Sequence, residues 1–236
     1  MHLLIPAAGM GRRMGSDRNK LLLTLLNKPL LAWTLLAAEA AAEITQIGII
    51  GQPEDQPDIQ AILADLALTK AVQLIAGGAT RQESVYNGLQ ALPPTAERVL
   101  IHDGARCLAT PQLFDRCAQH LRDCPGLIAA IPVKDTIKVV DESDLVQDTP
   151  DRRRLWAAQT PQGFEVPLLK QCHDQGRKLN WDVTDDAALF ERCGLPVQIV
   201  AGEETNLKVT TPMDLAIAEF ILRQRLLIDS TRPPQA

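Results

Sequence analysis

Short apolar runs alternate along this chain with longer amphipathic stretches. Residues 3–6, 47–51, 72–76, 99–102, 127–133 and 197–201 are compact β-rich runs, and their near-continuous hydrophobicity predicts strands buried on both faces. Between them the period becomes helical, and several helix ends are marked. Pro29 opens 30–42, Thr110-Pro111 supplies a cap and a first-turn proline for the stretch to 124, and Thr211-Pro212 does the same for 213–227. Gly194-Leu195-Pro196 stops a helix expected from about Thr184 to Cys193. Alternation of this kind predicts an α/β fold, a mostly parallel sheet with helices on both faces. Residues 134–155 break the pattern. Two extended arms flank the polar turn Asp141-Glu142-Ser143-Asp144. Such a hairpin is marginally stable alone in water, so it is expected to lie against its own sheet or against a second subunit.

A single domain over 1–228, with the Pro-rich 229–236 as a disordered tail, accounts for a chain of 236 residues that shows no internal repeat. Hydrophobic residues at 46% and charged ones at 22% place it among globular chains. The stretch 30–42 is too short and too interrupted to span a bilayer, and the N-terminus lacks the layout of a signal peptide, so a cytosolic protein without membrane contact is expected. Five cysteines without a C-x-x-C pair argue against a disulfide framework or a zinc site. A net charge of −5, with three Trp, one Tyr and four Phe, argues against nucleic acid, because the basic footprint and the stacking platform are both missing. Any anion must be met by local cations.

Those cations cluster where a ligand is expected. Open parallel sheets bind ligands beyond the carboxyl ends of their strands. The first run empties into Pro6-Ala7-Ala8-Gly9-Met10-Gly11-Arg12-Arg13-Met14-Gly15 and then Lys20. Small residues let backbone N–H groups approach a phosphate, and the cations imply a highly charged ligand. The spacing G-x-G-x-x-x-G is neither the dinucleotide fingerprint nor a Walker loop. The third run leads into Gly77-Gly78-Ala79-Thr80-Arg81 and Ser84, the fourth into His102-Asp103-Gly104-Ala105-Arg106. A small-residue loop, a lone carboxylate and several cations are the parts that hold a nucleoside triphosphate with a divalent metal, and Mg²⁺, which keeps its waters, can use one Asp with phosphate oxygens. Asp103 is the metal candidate. Taken singly, each part has a plainer explanation: a tight turn, Asp103 as a cap or a partner of Arg106, Arg152–Arg154 as a solvated face, Thr184 as a helix cap. His102, His120 and His173 have no partner at a spacing that suggests a nucleophilic triad or a histidine metal site.

The ordered set P-A-A-G-x-G-x-R-M-G with Lys20, G-G-x-x-R-x-x-S, H-D-G-A-R, D-T-I-K, D-R-x-x-L-W-x-A-Q-T-P-Q-x-F, T-D-D-A and N-x-K-V-T-x-P-x-D-L resembles the 2-C-methyl-D-erythritol 4-phosphate cytidylyltransferases of non-mevalonate isoprenoid synthesis, over residues 3 to about 222. The resemblance implies a Rossmann-like nucleotidyltransferase three-layer sandwich with a protruding β-arm, at 134–155, that interlocks a homodimer. It implies transfer of a cytidylyl group from CTP to the acceptor's phosphate. By resemblance Arg13 and Lys20 stabilise charge at the α-phosphate and Asp103 holds Mg²⁺. Arg152 and Lys208 position the acceptor with Arg106, Thr136 and Thr184, and Thr136 and Arg152 reach in from the partner's arm. Pro6, Ala7, Ala8, Gly9 and Gly11 and, beyond them, Gly78, Ala79 and Ser84 bind the nucleotide, with cytosine read by the backbone of Ala7, Ala8, Gly78 and Ala79 and by Ser84. Cys107 stands where the family commonly has proline, and Ala79-Thr80 where an acidic residue commonly follows the glycines. A sister ribitol 5-phosphate cytidylyltransferase is the nearest alternative, but it typically opens A-G-G and lacks D-R-x-x-L-W. A binding-only nucleotide sensor would be expected to lose Lys20, Asp103 or Lys208, and all three are present.

Overall fold

The computed structural model describes residues 1–9 and 19–231. Gly11 and Arg13 therefore lie outside the described residues. All six expected strands form: β1 (His2–Pro6), β4 (Gln46–Gly51), β5 (Ala71–Ala76), β6 (Arg98–Ile101), β7 (Gly126–Pro132) and β11 (Gln198–Ala201), the numbering also counting two short hairpins. They share one seven-stranded sheet of order β11-β7-β10-β6-β1-β4-β5. Its seventh member, β10 (Trp156–Glu165), was not among the expected strands. β10 runs antiparallel between β6 and β7, while β1, β4, β5 and β6 pair in parallel, as do β7 and β11.

The reason that β10 escapes a hydrophobicity reading lies in its side chains. Gln159, Thr160 and Gln162 are buried there, and each is hydrogen-bonded to another part of the chain, so burial costs little despite the polarity. Pairing with β7 shifts register between Ala158 and Gln162, and that irregularity lies beside the loop that follows β6.

Alternation within the strands divides the core into two layers. Leu3, Ile5, Ile47, Ile49 and Leu100 face α1 (Leu30–Ala40), α2 (Gln56–Leu66) and α4 (Pro111–His120). Leu4, Ile50, Val99 and Ile101 face α3 (Arg81–Ala91), α5 (Val166–Lys178) and α6 (Asp186–Arg192). The result is the three-layer sandwich. A third cluster of Leu25, Leu30, Cys107, Leu108, Val209, Ala218 and Leu222 ties α7 (Pro212–Thr231) to the hairpin of β2 (Thr24–Leu25) and β3 (Lys28–Pro29). Cys107, the departure from the family's proline, is thus a core thiol, and burial pushes its pKa up to about 12. The α7 helix continues into the start of the expected tail, and 232–236 lie outside the described residues.

Residues 134–155 contain a separate two-stranded hairpin, β8 (Val139–Val140) with β9 (Val146–Asp148). Asp141 turns it, its Oδ1 accepting the N–H groups of Ser143 and Leu145. Val139, Val140, Leu145 and Val146 are exposed on it. Among the described residues, no helix is long and apolar enough to cross a membrane.

Candidate active site

The sheet reverses direction of growth at β1: the chain adds β4 and β5 on one side, then returns to lay β6 on the other. A crevice at such a switch point is the natural ligand site of an open α/β sheet. Here it is a cavity of about 560 Å³, to which the loops after β1, β4, β5 and β6 contribute Ala8 and Gly9, Gln52, Gly78 to Arg81, and Asp103 to Ala105, with Lys20 and Lys208 beside them.

Each loop is braced. Ala7 donates its N–H to Ile50 O at 2.7 Å, and its carbonyl accepts from Asn19 Nδ2 at 2.6 Å. Ala7 is 1% exposed and does not line the cavity. Its N–H and carbonyl are both engaged within the chain, which fixes Ala8 and Gly9 beside it. Asn19 also donates to Asp55 Oδ2 at 2.7 Å, and its Oδ1 caps the short 3₁₀ turn that begins at Lys20. A Cβ on Gly77 would stand 2.9 Å from that of Ala8 and 3.3 Å from Gly51 O, so only glycine lets these loops meet.

The start of α3 builds the next wall. Thr80 caps the helix, accepting from Glu83 N at 3.0 Å, and the Glu83 carboxylate reaches back to Ala79 N at 2.8 Å. Ser84 Oγ accepts from Gly78 N at 3.0 Å and donates to Thr80 O at 2.9 Å. Both N–H groups of the Gly78-Ala79 pair are therefore engaged within the loop, and the Gly78 carbonyl accepts from Gln52 Nε2 at 3.3 Å.

After β6 a buried network sets the loop. His102 Nε2 lies 3.2 Å from the Arg106 carbonyl, which can only accept, so that nitrogen carries the proton. Nδ1 then accepts from the Thr160 hydroxyl at 3.0 Å, and Thr160 Oγ accepts the Asp103 N–H at 3.0 Å. Asn206 Nδ2 donates to Thr160 O at 2.8 Å, while Arg106 Nη1 donates to Asn206 O at 2.8 Å. Thr160 and Asn206, which sequence reasoning gave no role, hold Asp103 and Arg106 in place.

Burial holds the His102 imidazole at about 4, below its ordinary 6.5. The unfolded chain thus takes up this proton near pH 6.5 and the folded one only near 4. Stability from neutral His102 is complete above pH 6.5 and declines as pH falls toward 4, by roughly 3 kcal/mol at most. Urea unfolding across that window should show a steeper loss for wild type than for His102→Gln, and equal slopes would exclude His102 as the source.

The electrostatic centre is Asp103. Burial alone would raise its carboxyl, but Lys208, Arg81 and Arg106 overcome that and hold it at about 2. Lys208 Nζ is 2.8 Å from Oδ2, Arg106 Nε is 3.8 Å from Oδ2, and Arg81 Nε is 3.8 Å from Oδ1. Lys208 is carried there because Val209 N donates to Ala105 O at 2.9 Å, and Lys20 Nζ donates to Val209 O at 3.0 Å. Asp103 is therefore an ion-pair partner of Arg106, as its plainer explanation has it, but of two further cations as well. Among the described residues, no group of three or more His, Cys, Asp or Glu could cage a metal. A single ionised carboxylate lining a cavity of about 560 Å³ is compatible with Mg²⁺, which takes few protein ligands and completes its shell with waters and phosphate oxygens.

The remaining expected residues sit apart. Thr136 and Arg152 are exposed on the arm, Arg152 donating to Lys134 O at 2.7 Å, and neither lines the cavity. Thr184 is exposed and does not cap α6; Asp185 does, accepting Ala188 N at 2.9 Å. Arg81, noted after the glycine pair but given no role, and Gln52, which was passed over, also line the cavity.

Comparison with known proteins accounts for nearly the whole chain. The family model of 2-C-methyl-D-erythritol 4-phosphate cytidylyltransferase matches residues 1–224. The cytidylyltransferase of that name from Nostoc punctiforme is 73% identical over 95% of this chain and 99% of its own length, and that from Synechocystis is 67% identical over 95% and 98%. Among solved structures, 4-diphosphocytidyl-2C-methyl-D-erythritol synthase from Anaerococcus prevotii superposes with a TM-score of 0.84 at 32% identity, covering 94% of this chain and 97% of that one. The cytidylyltransferase from Thermus thermophilus gives 0.77 at 32% identity over 94% and 98%. The chain belongs to the 2-C-methyl-D-erythritol 4-phosphate cytidylyltransferase family.

Proposed function

We propose that the cavity carries cytidylyl transfer from CTP to 2-C-methyl-D-erythritol 4-phosphate, giving 4-diphosphocytidyl-2-C-methyl-D-erythritol and pyrophosphate. The observation that supports this best is the convergence of Lys20, Arg81, Asp103 and Lys208 on one cavity walled by small-residue loops. An oxygen of the acceptor's phosphate attacks the α-phosphorus of CTP, and the bond to the bridging oxygen of pyrophosphate breaks. A phosphate monoester is already largely dianionic near neutral pH, its second pKa being about 6, so no general base is required. His102, buried and hydrogen-bonded through both nitrogens, is free of that duty.

Charge crowding at the α-phosphorus is what needs relief, and fixed cations supply it without reorganisation. Lys20 takes this role, with Arg13, which lies outside the described residues. Asp103 would hold Mg²⁺, and the ion, when bound, would neutralise phosphate charge. Lys208 and Arg106 orient the acceptor phosphate, with Thr184 and, from the partner's arm, Thr136 and Arg152. Cytosine's amino group meets carbonyls of the Gly78-Ala79 loop, while Pro6, Ala8 and Gly9 face the nucleotide. The exposed apolar side chains of the β8–β9 hairpin support a homodimer built through this arm, since so small a sheet needs a surface to cover it. Soluble substrates and free thiols suit the cytosol.

The test is pyrophosphate release from CTP with methylerythritol phosphate and ribitol 5-phosphate offered in parallel. Release with the first and not the second is expected. Preference for ribitol phosphate would move the chain to the sister activity, and CTP binding without release would make it a sensor.

A further inference from the structure

Arg81 stands between two carboxylates that differ in access. Asp186, the first residue of α6, is 1% exposed, and its Oδ2 lies 2.8 Å from Arg81 Nη1, an ion pair that lacks hydrogen-bond alignment. Behind it, His173 Nε2 is 3.4 Å from Asp186 Oδ1, and this histidine too is wholly buried. The start of α6 cannot readily move. Asp185 caps it and accepts from Gln162 Nε2 at 2.8 Å, and Gln162 Oε1 accepts Ala187 N at 3.2 Å, so the turn is bolted to β10. Arg81 begins α3, whose first turn is held by the Thr80 cap. Its guanidinium is thus tethered at the Asp186 end, and Nε stops 3.8 Å from Asp103 Oδ1, beyond hydrogen-bond range. The shortest contacts of Lys208 and Arg106 with Asp103 are both made to Oδ2, and that of Arg81 to Oδ1.

We propose that Asp186 is a positioning residue for the metal carboxylate: by holding Arg81 back it keeps Oδ1 of Asp103 open to a divalent cation. The charge of Arg81 still reaches Asp103, but its N–H groups do not occupy the lone pairs that a metal needs. Without the Asp186 charge, a movement of roughly 1 Å would bring Arg81 into a charge-assisted hydrogen bond with Asp103, in direct competition with the ion. The inference rests on the reading of Asp103 as the metal ligand.

The test follows Mn²⁺ through water-proton relaxation in protein saturated with CTP and lacking acceptor, so that no turnover occurs. Asp186→Asn should raise the Mn²⁺ concentration for half enhancement about tenfold, the smaller end of what one charge-assisted hydrogen bond commands. Arg81→Met placed on top of Asp186→Asn should return it to within about twofold of wild type, since the competitor is gone. A merely structural role for Asp186 would not be rescued in this way. An unchanged Asp186→Asn titration, or a double variant as weak as the single, overturns the proposal. If circular dichroism shows the single variant unfolded, the double variant decides alone: wild-type binding supports the proposal, and tenfold weaker binding overturns it. Asp103→Asn is run beside them. An unaltered titration there overturns the metal reading itself, and this inference with it, whereas a weakened one leaves the two questions separate.

Discussion

Replacing Lys20 with Met is expected to lower the turnover number by two or more powers of ten at saturating CTP. Lys20 lines the cavity together with Gly9 and Lys208, and its Nζ donates to the Val209 carbonyl at 3.0 Å. A cation fixed before reaction is worth most where charge increases along the reaction path, and removing one such group typically costs about 10² to 10³ in rate. Met keeps the length and most of the apolar stem, so packing around Leu21 is preserved. Steady-state kinetics distinguish the roles. A fall in kcat together with kcat/KM identifies transition-state stabilisation, whereas a rise in KM alone would make Lys20 a ground-state ligand of CTP.

The second large effect is a gain. Arg152→Ala and Lys20→Ala homodimers should each be nearly inactive, and co-refolded heterodimers should recover up to about half of wild-type activity. The proposed site is composite: it takes Lys20 from one chain and Arg152 from the other chain's arm. In the mixed dimer one site then holds both intact residues and the other carries both defects, so half is the ceiling if the sites work independently. The geometry favours this arrangement, because Arg152 lies outside its own chain's cavity and is exposed beside the β8–β9 hairpin. Absence of recovery in a verified heterodimer would assign Arg152 to its own subunit's site.

The residues that line the cavity were legible to the extent that their chemistry is local. Asp103 directly follows the apolar run 99–102, where a charged residue has few structural uses, whereas Lys20 stands beyond the glycine loop after a polar gap and Lys208 was reached through the resemblance alone. Thr184 shows the opposite case. A threonine before two aspartates satisfies the local rule for a cap, yet Asp185 takes the position because Gln162 of β10 fixes that carboxylate from outside the helix. Ala7 is similar: the loop pattern could not tell which of two adjacent alanines lines the cavity, and the Asn19 and Ile50 contacts turn Ala7 inward.

Periodicity by itself determined the six strands, the two helical layers and the isolated arm, because burying alternate apolar side chains depends only on residues a few positions apart. The order of motifs determined the family, since each motif is a short stretch whose residue types the ligand dictates. Only the tertiary structure decided that β10 belongs inside the sheet. The burial of its glutamines and threonine rests on hydrogen bonds to Glu203, His102 and Asp185, 44, 58 and 23 residues away. The same holds for Arg81, whose position is set by two carboxylates, 22 and 105 residues further on by their numbers, that meet it only across the crevice. A polar group's burial and direction depend on partners that sequence distance does not reveal.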